Sequence, residues 1–128
     1  MTGLLAGCRI LAVEDEMLVL MNIEAALEDF GCSTICSAGC VAEALALIAR
    51  QSFDAAILDV NLGGEKSYPV ADALAQLGVP FVFSTGCSDH GGRVDFEGRP
   101  ILRKPYTRAA LFAAFARMVP EEPPPAAA

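Results

Sequence analysis

Several acidic, hydroxyl and amino side chains follow apolar segments of the chain, where they could act together on a metal or a phosphate. Residues 55–58 are all apolar, which is typical of a strand buried on both faces, and Asp59 follows them directly. A buried carboxylate without a partner is energetically costly, so Asp59 requires one. Four other residues stand at the ends of apolar segments: Glu14, Asp15, Thr85 and Lys104.

The elements that position these residues are predicted to be alternating strands and helices. Strands are expected at residues 9–13, 32–37, 53–58, 80–84 and 100–103. Helices are expected before Gly31, over 41–50, over 70–77 and after Thr107, which is a candidate N-cap. The last of these helices carries an apolar stripe formed by Leu111, Phe112, Phe115 and Val119. This alternation predicts an α/β fold, with a parallel sheet and helices on both faces.

The segments between these elements are less regular. Residues 61–69 are expected to form a polar loop. Gly91 and Gly92 disfavour a helix in 87–98, so the fourth helix is expected to be short or irregular. We expect residues 86–98 to be mobile and to become ordered on phosphorylation or partner binding. The Pro- and Ala-rich tail 120–128 is expected to be flexible.

The strand-end residues are expected to meet at one edge, because open parallel sheets bind ligands beyond the carboxyl ends of their strands. Three carboxylates there repel one another unless a cation intervenes, and Mg²⁺ prefers such oxygen ligands. Asp59 is then a candidate nucleophile that forms an acyl phosphate, with Thr85 and Lys104 contacting the phosphoryl oxygens. Taken singly, each residue also fits an ordinary turn, cap or loop.

Composition limits the classes of protein that this chain can be. At 128 residues with 54% apolar residues, it is long enough for one globular domain. No apolar run reaches the roughly 20 residues of a membrane span, and no signal peptide is evident, so we expect a cytoplasmic protein without membrane contact. The net charge of −7 argues against nucleic acid as a partner.

The cysteines and the single histidine give no clear site of their own. The five cysteines include no C-x-x-C pair, and small reduced thiols in a core fit them better than metal ligands do. His90 lies in a Gly-rich segment and is interpreted as a solvated side chain.

Four motifs in register resemble those of the response-regulator receiver domain of two-component signalling. They are LAVEDE (11–16), ILDVNL (57–62), STG (84–86) and LRKPY (102–106). The resemblance covers about residues 8–119 and implies a doubly wound, flavodoxin-like sheet of five parallel strands in the order 2-1-3-4-5. It also implies a cis peptide bond between Lys104 and Pro105.

The resemblance assigns a role to each strand-end residue. Asp59 falls where the family accepts a phosphoryl group from a kinase phosphohistidine. Thr85 stands at the switch hydroxyl, and Lys104 at the lysine that contacts the phosphoryl group. The implied Mg²⁺ ligands are Glu14, Asp15, Asp59 and the backbone carbonyl of Asn61. The chain is therefore expected to be a single-domain response regulator, not an enzyme, that receives its phosphoryl group from a histidine kinase or phosphotransfer protein and signals through protein contacts.

Two features depart from the usual pattern of the family. Ile101 replaces the aromatic residue that often moves with the switch threonine, and the region of the fourth helix is short and rich in glycine. The run Phe83-Ser84-Thr85-Gly86 also resembles a Phe-Ala-Thr-Gly signature of stand-alone alphaproteobacterial receivers, some of them linked to general stress responses.

Three alternative functions fit the sequence less well. A degenerate receiver would bind a partner without phosphorylation, yet all the site residues are present. A phosphatase of the haloacid type requires Asp-x-Asp after its first strand, whereas here the third strand carries Asp59-x-Asn61. A flavin-binding module needs a phosphate loop after the first strand, where Glu14 and Asp15 would repel phosphate.

Overall fold

The central sheet has five parallel strands in the predicted order. The computed structural model describes residues 3–86 and 101–119. Its strands are β1 (Arg9–Val13), β2 (Thr34–Ala38), β3 (Ala55–Asp59), β4 (Asn61–Leu62), β5 (Glu65–Lys66), β6 (Phe81–Thr85) and β7 (Ile101–Arg103). The sheet runs β2-β1-β3-β6-β7, and β4 and β5 form a separate antiparallel hairpin. Without the hairpin strands, this confirms the order 2-1-3-4-5.

Helices cover both faces of the sheet, as the alternating pattern predicts. In the described part of the chain they are α1 (Met17–Asp29), α2 (Val41–Arg50), α3 (Tyr68–Gln76) and α4 (Arg108–Met118). Ile23 and Phe115 belong to one apolar cluster, between the sheet and α1 with α4. Ala44 and Leu74 belong to a second cluster, under α2 and α3. Burial of these two apolar layers is the main contribution to stability.

The strand predicted at 32–37 begins two residues later, because the chain first closes α1. Gly31 adopts a left-handed φ of 98°, and the Cys32 N–H donates to the Leu27 carbonyl at 3.0 Å. This bond is typical of a glycine-terminated helix. The helix predicted at 70–77 begins earlier, at Tyr68, because Pro69 fits the first helical turn, where its missing N–H is not needed.

The loop predicted at 61–69 is wrong for its first half, which forms a short hairpin. Asn61 pairs with Lys66 and Leu62 with Glu65. The turn consists of Gly63 and Gly64, with φ values of 59° and 93°, and glycine adopts such positive φ angles without steric cost. The hairpin follows Asp59 after a single residue, so it lies next to the carboxyl end of β3.

The last helix is capped and packed as predicted. Thr107 Oγ1 accepts a hydrogen bond from the Ala110 N–H at 3.0 Å. Of the predicted stripe, Leu111, Phe115 and Val119 are buried. Phe112 is partly buried and meets the ring of Phe30 edge to face, with centroids 5.0 Å apart.

Several sequence predictions lie outside the described residues: the mobile segment 86–98 beyond Gly86, the short fourth helix, His90, Cys87 and the tail 120–128. Among the residues that are described, Cys8, Cys32, Cys36 and Cys40 are free thiols. Burial raises the pKa of the Cys8 and Cys32 thiols, which makes them poor nucleophiles. No helix in this part of the chain is long and apolar enough to cross a membrane.

Candidate functional site

The carboxyl ends of β1 and β3 bring three carboxylates together. β1 and β3 are neighbours in register, with Val13 opposite Leu58, so Glu14 and Asp59 are close in space. The Glu14 N–H donates to the Ala38 carbonyl at 3.0 Å, which extends the β1–β2 ladder by one residue and fixes the Glu14 backbone. Glu14, Asp15 and Asp59 each offer one oxygen, and these oxygens lie within 4.8 Å of one another.

Lys104 reaches this cluster from the end of β7. Its backbone N–H donates to the Thr85 carbonyl at 2.8 Å, so the β6–β7 ladder holds its backbone beside the site. Its ammonium lies 3.2 Å from Glu14 Oε1 and 3.2 Å from Asp59 Oδ2. The peptide bond that follows, Lys104–Pro105, is cis. One cation is therefore shared between two buried carboxylates.

The electrostatics of the cluster are dominated by burial and by repulsion between like charges. Burial, and then the charge of Asp59, raise the pKa of Glu14 to about 7, although the Glu16 N–H and the Lys104 ammonium oppose the change. Burial alone would lower the pKa of Lys104, but Asp59 and Glu14 together raise it. Among the described residues, three carboxylates and one ammonium leave the cluster short of positive charge.

Backbone N–H groups orient two of the carboxylates. Glu14 Oε2 accepts from the Glu16 N–H at 3.1 Å, and Asp59 Oδ1 accepts from the Asn61 N–H at 3.3 Å. Asp15 is exposed at the open side of the cluster. This donor set consists only of oxygens, is partly open to solvent and is deficient in positive charge, which fits Mg²⁺ rather than a softer metal.

Thr85 lies at the carboxyl end of β6, and Ile101 lies at the start of β7. Thr85 is buried, and its hydroxyl donates to the Gly86 carbonyl at 3.1 Å. Ile101, which stands at the position where an aromatic residue is usual in receivers, is 60% exposed. The structure thus places Thr85 at the end of β6 beside Lys104, with an exposed aliphatic side chain on β7.

Three features near the site have no assigned role in the sequence analysis. A methyl group added at Gly63 would lie 3.8 Å from Asp15 Oδ2, so the hairpin turn contacts the open side of the cluster. Ser84, which stands opposite Asp59 on β6, and Tyr106, two residues after Lys104, carry buried hydroxyls. Nothing in a linear pattern indicates that these two hydroxyls are buried.

Comparison with known protein families identifies the family of the chain. The family model of the response regulator receiver domain matches residues 10–116. The chain therefore belongs to the receiver domains of response regulators, which are signalling modules. No curated protein matches the chain.

Solved structures of receivers resemble this chain over most of its length. SdrG from Sphingomonas melonis Fr1 is 47% identical, with a TM-score of 0.79 over 87% of this chain and 95% of that one. The BeF3-activated conformation of SdrG, from Pseudomonas melonis Fr1, is also 47% identical, with a TM-score of 0.74 over 89% and 98%.

A third structure bears on the metal. It is the receiver domain of the sensor histidine kinase PA1611 from Pseudomonas aeruginosa PAO1, which is 27% identical, with a TM-score of 0.76 over 88% of this chain and 98% of that one. That receiver has a magnesium ion coordinated in its active site cleft.

Proposed function

We propose that Asp59 accepts a phosphoryl group from the phosphohistidine of a histidine kinase or phosphotransfer protein, and that the phosphorylated protein signals through protein contacts. The observation that carries this proposal is the Lys104 ammonium, 3.2 Å from Asp59 Oδ2 within a cluster of three carboxylates. A carboxylate nucleophile beside a fixed cation is what phosphoryl transfer to an aspartate requires. The receiver unit is proposed to span residues 8–119, in a cytoplasmic protein.

The proposal includes Mg²⁺, for which the cluster is a suitable site. The residues that would hold it are Glu14, Asp15, Asp59 and the backbone carbonyl of Asn61. When bound, the ion neutralises negative charge on the phosphoryl oxygens and on the cluster. Two findings support this: the all-oxygen donor set, and the magnesium ion in the receiver of PA1611.

The residues of the chain divide the work of the transfer between them. In our proposal, a carboxylate oxygen of Asp59 attacks the phosphorus atom, the P–N bond to the donor imidazole breaks, and the imidazole leaves and takes up a proton from solvent. The Lys104 ammonium stays close to the phosphoryl oxygens during the transfer and stabilises their negative charge. The Thr85 hydroxyl turns from the Gly86 carbonyl towards the phosphoryl group, which links phosphorylation to a change in backbone contacts.

The phosphodonor is proposed to dock on the exposed start of α1. Met17, Leu18 and Met21 are 67%, 76% and 54% exposed, and they directly follow the acidic residues of the site. Beside them, a groove of about 570 Å³ runs between α1 and the start of α4 and includes Lys104 and Tyr106 in its lining. An exposed apolar patch next to a reactive group is a suitable surface for a protein donor.

The experiment that tests this function is phosphorylation by a small donor. Incubation with acetyl phosphate and Mg²⁺ should add the mass of one phosphoryl group to the intact protein. The gain should be absent in Asp59→Asn and in EDTA. Asp54→Asn, at the other end of the β3 segment, is the matched control and should be phosphorylated normally. A mass gain that persists in Asp59→Asn would overturn the proposal.

A further inference from the structure

Two buried hydroxyl groups lie directly beneath the acidic cluster. Ser84 is 1% exposed and stands opposite Asp59 in the β3–β6 register. Its side chain is directed to the face covered by α1 and α4, because Val82, two residues before it, is buried in the cluster on that face. Tyr106 packs against the apolar cluster on that same face, and its hydroxyl is also buried.

Neither hydroxyl is satisfied in the part of the chain that the structure describes. Ser84 Oγ and Tyr106 OH both lack a hydrogen bond of acceptable geometry to any described residue. A buried hydroxyl without a partner is destabilising, and native proteins avoid it. The two residues nevertheless lie in the same region, since Ser84 stands opposite Leu102 in the β6–β7 register and Leu102 and Tyr106 pack into one apolar cluster. Burial raises the pKa of the Tyr106 phenol, and the Ser84 hydroxyl opposes this change. A small movement of either side chain would therefore give both a partner.

Tyr106 is linked to the charged cluster through space as well as along the chain. It follows Lys104 by two residues, and the charges of Glu14, Lys104 and Asp59 all act on its phenol. The Lys104 N–H donates a hydrogen bond to the Thr85 carbonyl. The segment around Lys104 is therefore attached to β6 through the backbone, and a hydrogen bond from Tyr106 to Ser84 would attach it a second time through side chains.

We propose that Tyr106 is a positioning residue for Lys104. A hydrogen bond between the Tyr106 hydroxyl and Ser84 Oγ holds the segment after β7 against the sheet and fixes where the Lys104 ammonium stands between Glu14 and Asp59. This inference rests on the proposed function, because the position of Lys104 matters most when Asp59 carries a phosphoryl group.

The hydrogen bond between Tyr106 and Ser84 has a specific function in this chain. Lys104 is equally distant from Glu14 and Asp59 at rest, so its ammonium must shift towards a phosphoryl group on Asp59 without losing its own alignment. An anchored Tyr106 keeps the backbone fixed while the side chain moves. Ser84 supplies this anchor at a position where the Phe-Ala-Thr-Gly signature has alanine, which has no hydroxyl.

Lysine-selective NMR can test the positioning role. Lys66 and Lys104 are the two lysines of the chain, and Lys66 lies exposed in the hairpin, so a sample labelled with ¹³C at lysine Cε gives one probe signal and one internal control. Wild type is compared with Tyr106→Phe, Ser84→Ala and the double variant, with Mg²⁺, before and after addition of beryllofluoride. Tyr68→Phe is the matched control, because Tyr68 packs against Phe83 beside the other helical layer.

Either single substitution should displace the Lys104 signal of the resting protein and leave the Lys66 signal in place. The double variant should match the singles, since all three break the same bond. Phosphorylation by acetyl phosphate should slow by about tenfold in each of the three, because small misplacements of a charge-stabilising group reduce rates strongly. Tyr68→Phe should behave as wild type in both measurements.

A Lys104 signal and a phosphorylation rate that stay at wild-type values in both single variants would overturn the inference, even if thermal unfolding shifts. Additive displacements in the double variant would also overturn it, because the two hydroxyls would then act separately. Failure of the proposed function looks different: wild type would neither gain mass nor shift its Lys104 signal with beryllofluoride. The resting-state comparison of the variants would still decide whether Tyr106 positions Lys104.

Discussion

The Lys104 ammonium lies 3.2 Å from Asp59 Oδ2 and equally far from Glu14 Oε1, although these residues come from strands β7 and β3 and from the end of β1. Both carboxylates are nearly inaccessible to solvent, whereas the lysine side chain is 22% exposed. Removal of Lys104 would leave two buried carboxylates without a compensating charge, whereas removal of one carboxylate leaves Lys104 paired with the other. A divalent cation or the loss of one carboxylate therefore relieves the repulsion within the cluster.

Asp59→Asn should stabilise the protein in EDTA. The substitution removes one of the mutually repelling carboxylates and leaves Lys104 paired with Glu14, so the free energy of unfolding should rise by about 1–2 kcal/mol. Mg²⁺ should then stabilise wild type more than the variant, because a ligand that binds only the folded state adds to its stability. Urea unfolding with and without Mg²⁺ measures both effects. A variant that is less stable than wild type in EDTA would contradict this account.

Lys104→Ala should remain folded but should be impaired in phosphorylation. In EDTA, the loss of the shared cation should lower the free energy of unfolding by about 2 kcal/mol, since the lysine is only partly buried. Mg²⁺ should restore most of this free energy. Circular dichroism follows folding, and intact mass follows phosphorylation. Lys66→Ala, on the exposed hairpin, should change stability by less than about 0.5 kcal/mol. Unfolding of Lys104→Ala in the presence of Mg²⁺ would assign the lysine a structural role instead.

The exposed start of α1 should matter for a protein donor and not for a small one. Leu18→Glu places a charge on the apolar patch without touching the core, because Leu18 is 76% exposed. Transfer from a phosphorylated histidine kinase should fall by about tenfold or more, consistent with the loss of one central interface contact. Phosphorylation by acetyl phosphate should not change. Leu77→Glu, at a residue 62% exposed just after α3, is the control and should leave both reactions intact.

Much of the acidic cluster could be predicted from the sequence because it depends on sheet geometry alone. Parallel strands deliver the residues after them to one edge of the sheet, so Glu14 and Asp59 lie close because β1 and β3 are neighbours, and Lys104 follows β7 at the same edge. The strands themselves are short apolar runs, which are easily recognised. Their boundaries were less accurate, since the backbone of Cys32 closes α1 before β2 begins.

The remaining features of the site depend on contacts that no linear pattern contains. Ser84 and Tyr106 are 22 residues apart in number, and their side chains lie on the same face of the sheet only because of the side-chain alternation on β6 and the path of the chain after β7. The hairpin strands β4 and β5 have two residues each, too few for an alternating pattern to be recognised. Gly63 and Gly64 fit the hairpin turn, but they fit the irregular loop that the sequence predicts for residues 61–69 equally well.

Substitution in the hairpin turn should reveal its contribution to the site. Gly64 has a φ of 93° and no atom within 4 Å of an added Cβ, so Gly64→Ala tests backbone conformation alone. The variant should lose about 1 kcal/mol of unfolding free energy, because alanine adopts positive φ only with strain. Gly39→Ala is the control. Gly39 does not have a positive φ, and the atoms nearest to an added Cβ would lie at 3.8 and 3.9 Å, so the stability of this variant should be near that of wild type.

If the turn also holds the open side of the cluster in place, Gly64→Ala should weaken Mg²⁺ binding severalfold while Gly39→Ala does not, as measured by calorimetric titration. Equal losses of stability in the two variants would show that the positive φ of Gly64 is not a constraint on the hairpin.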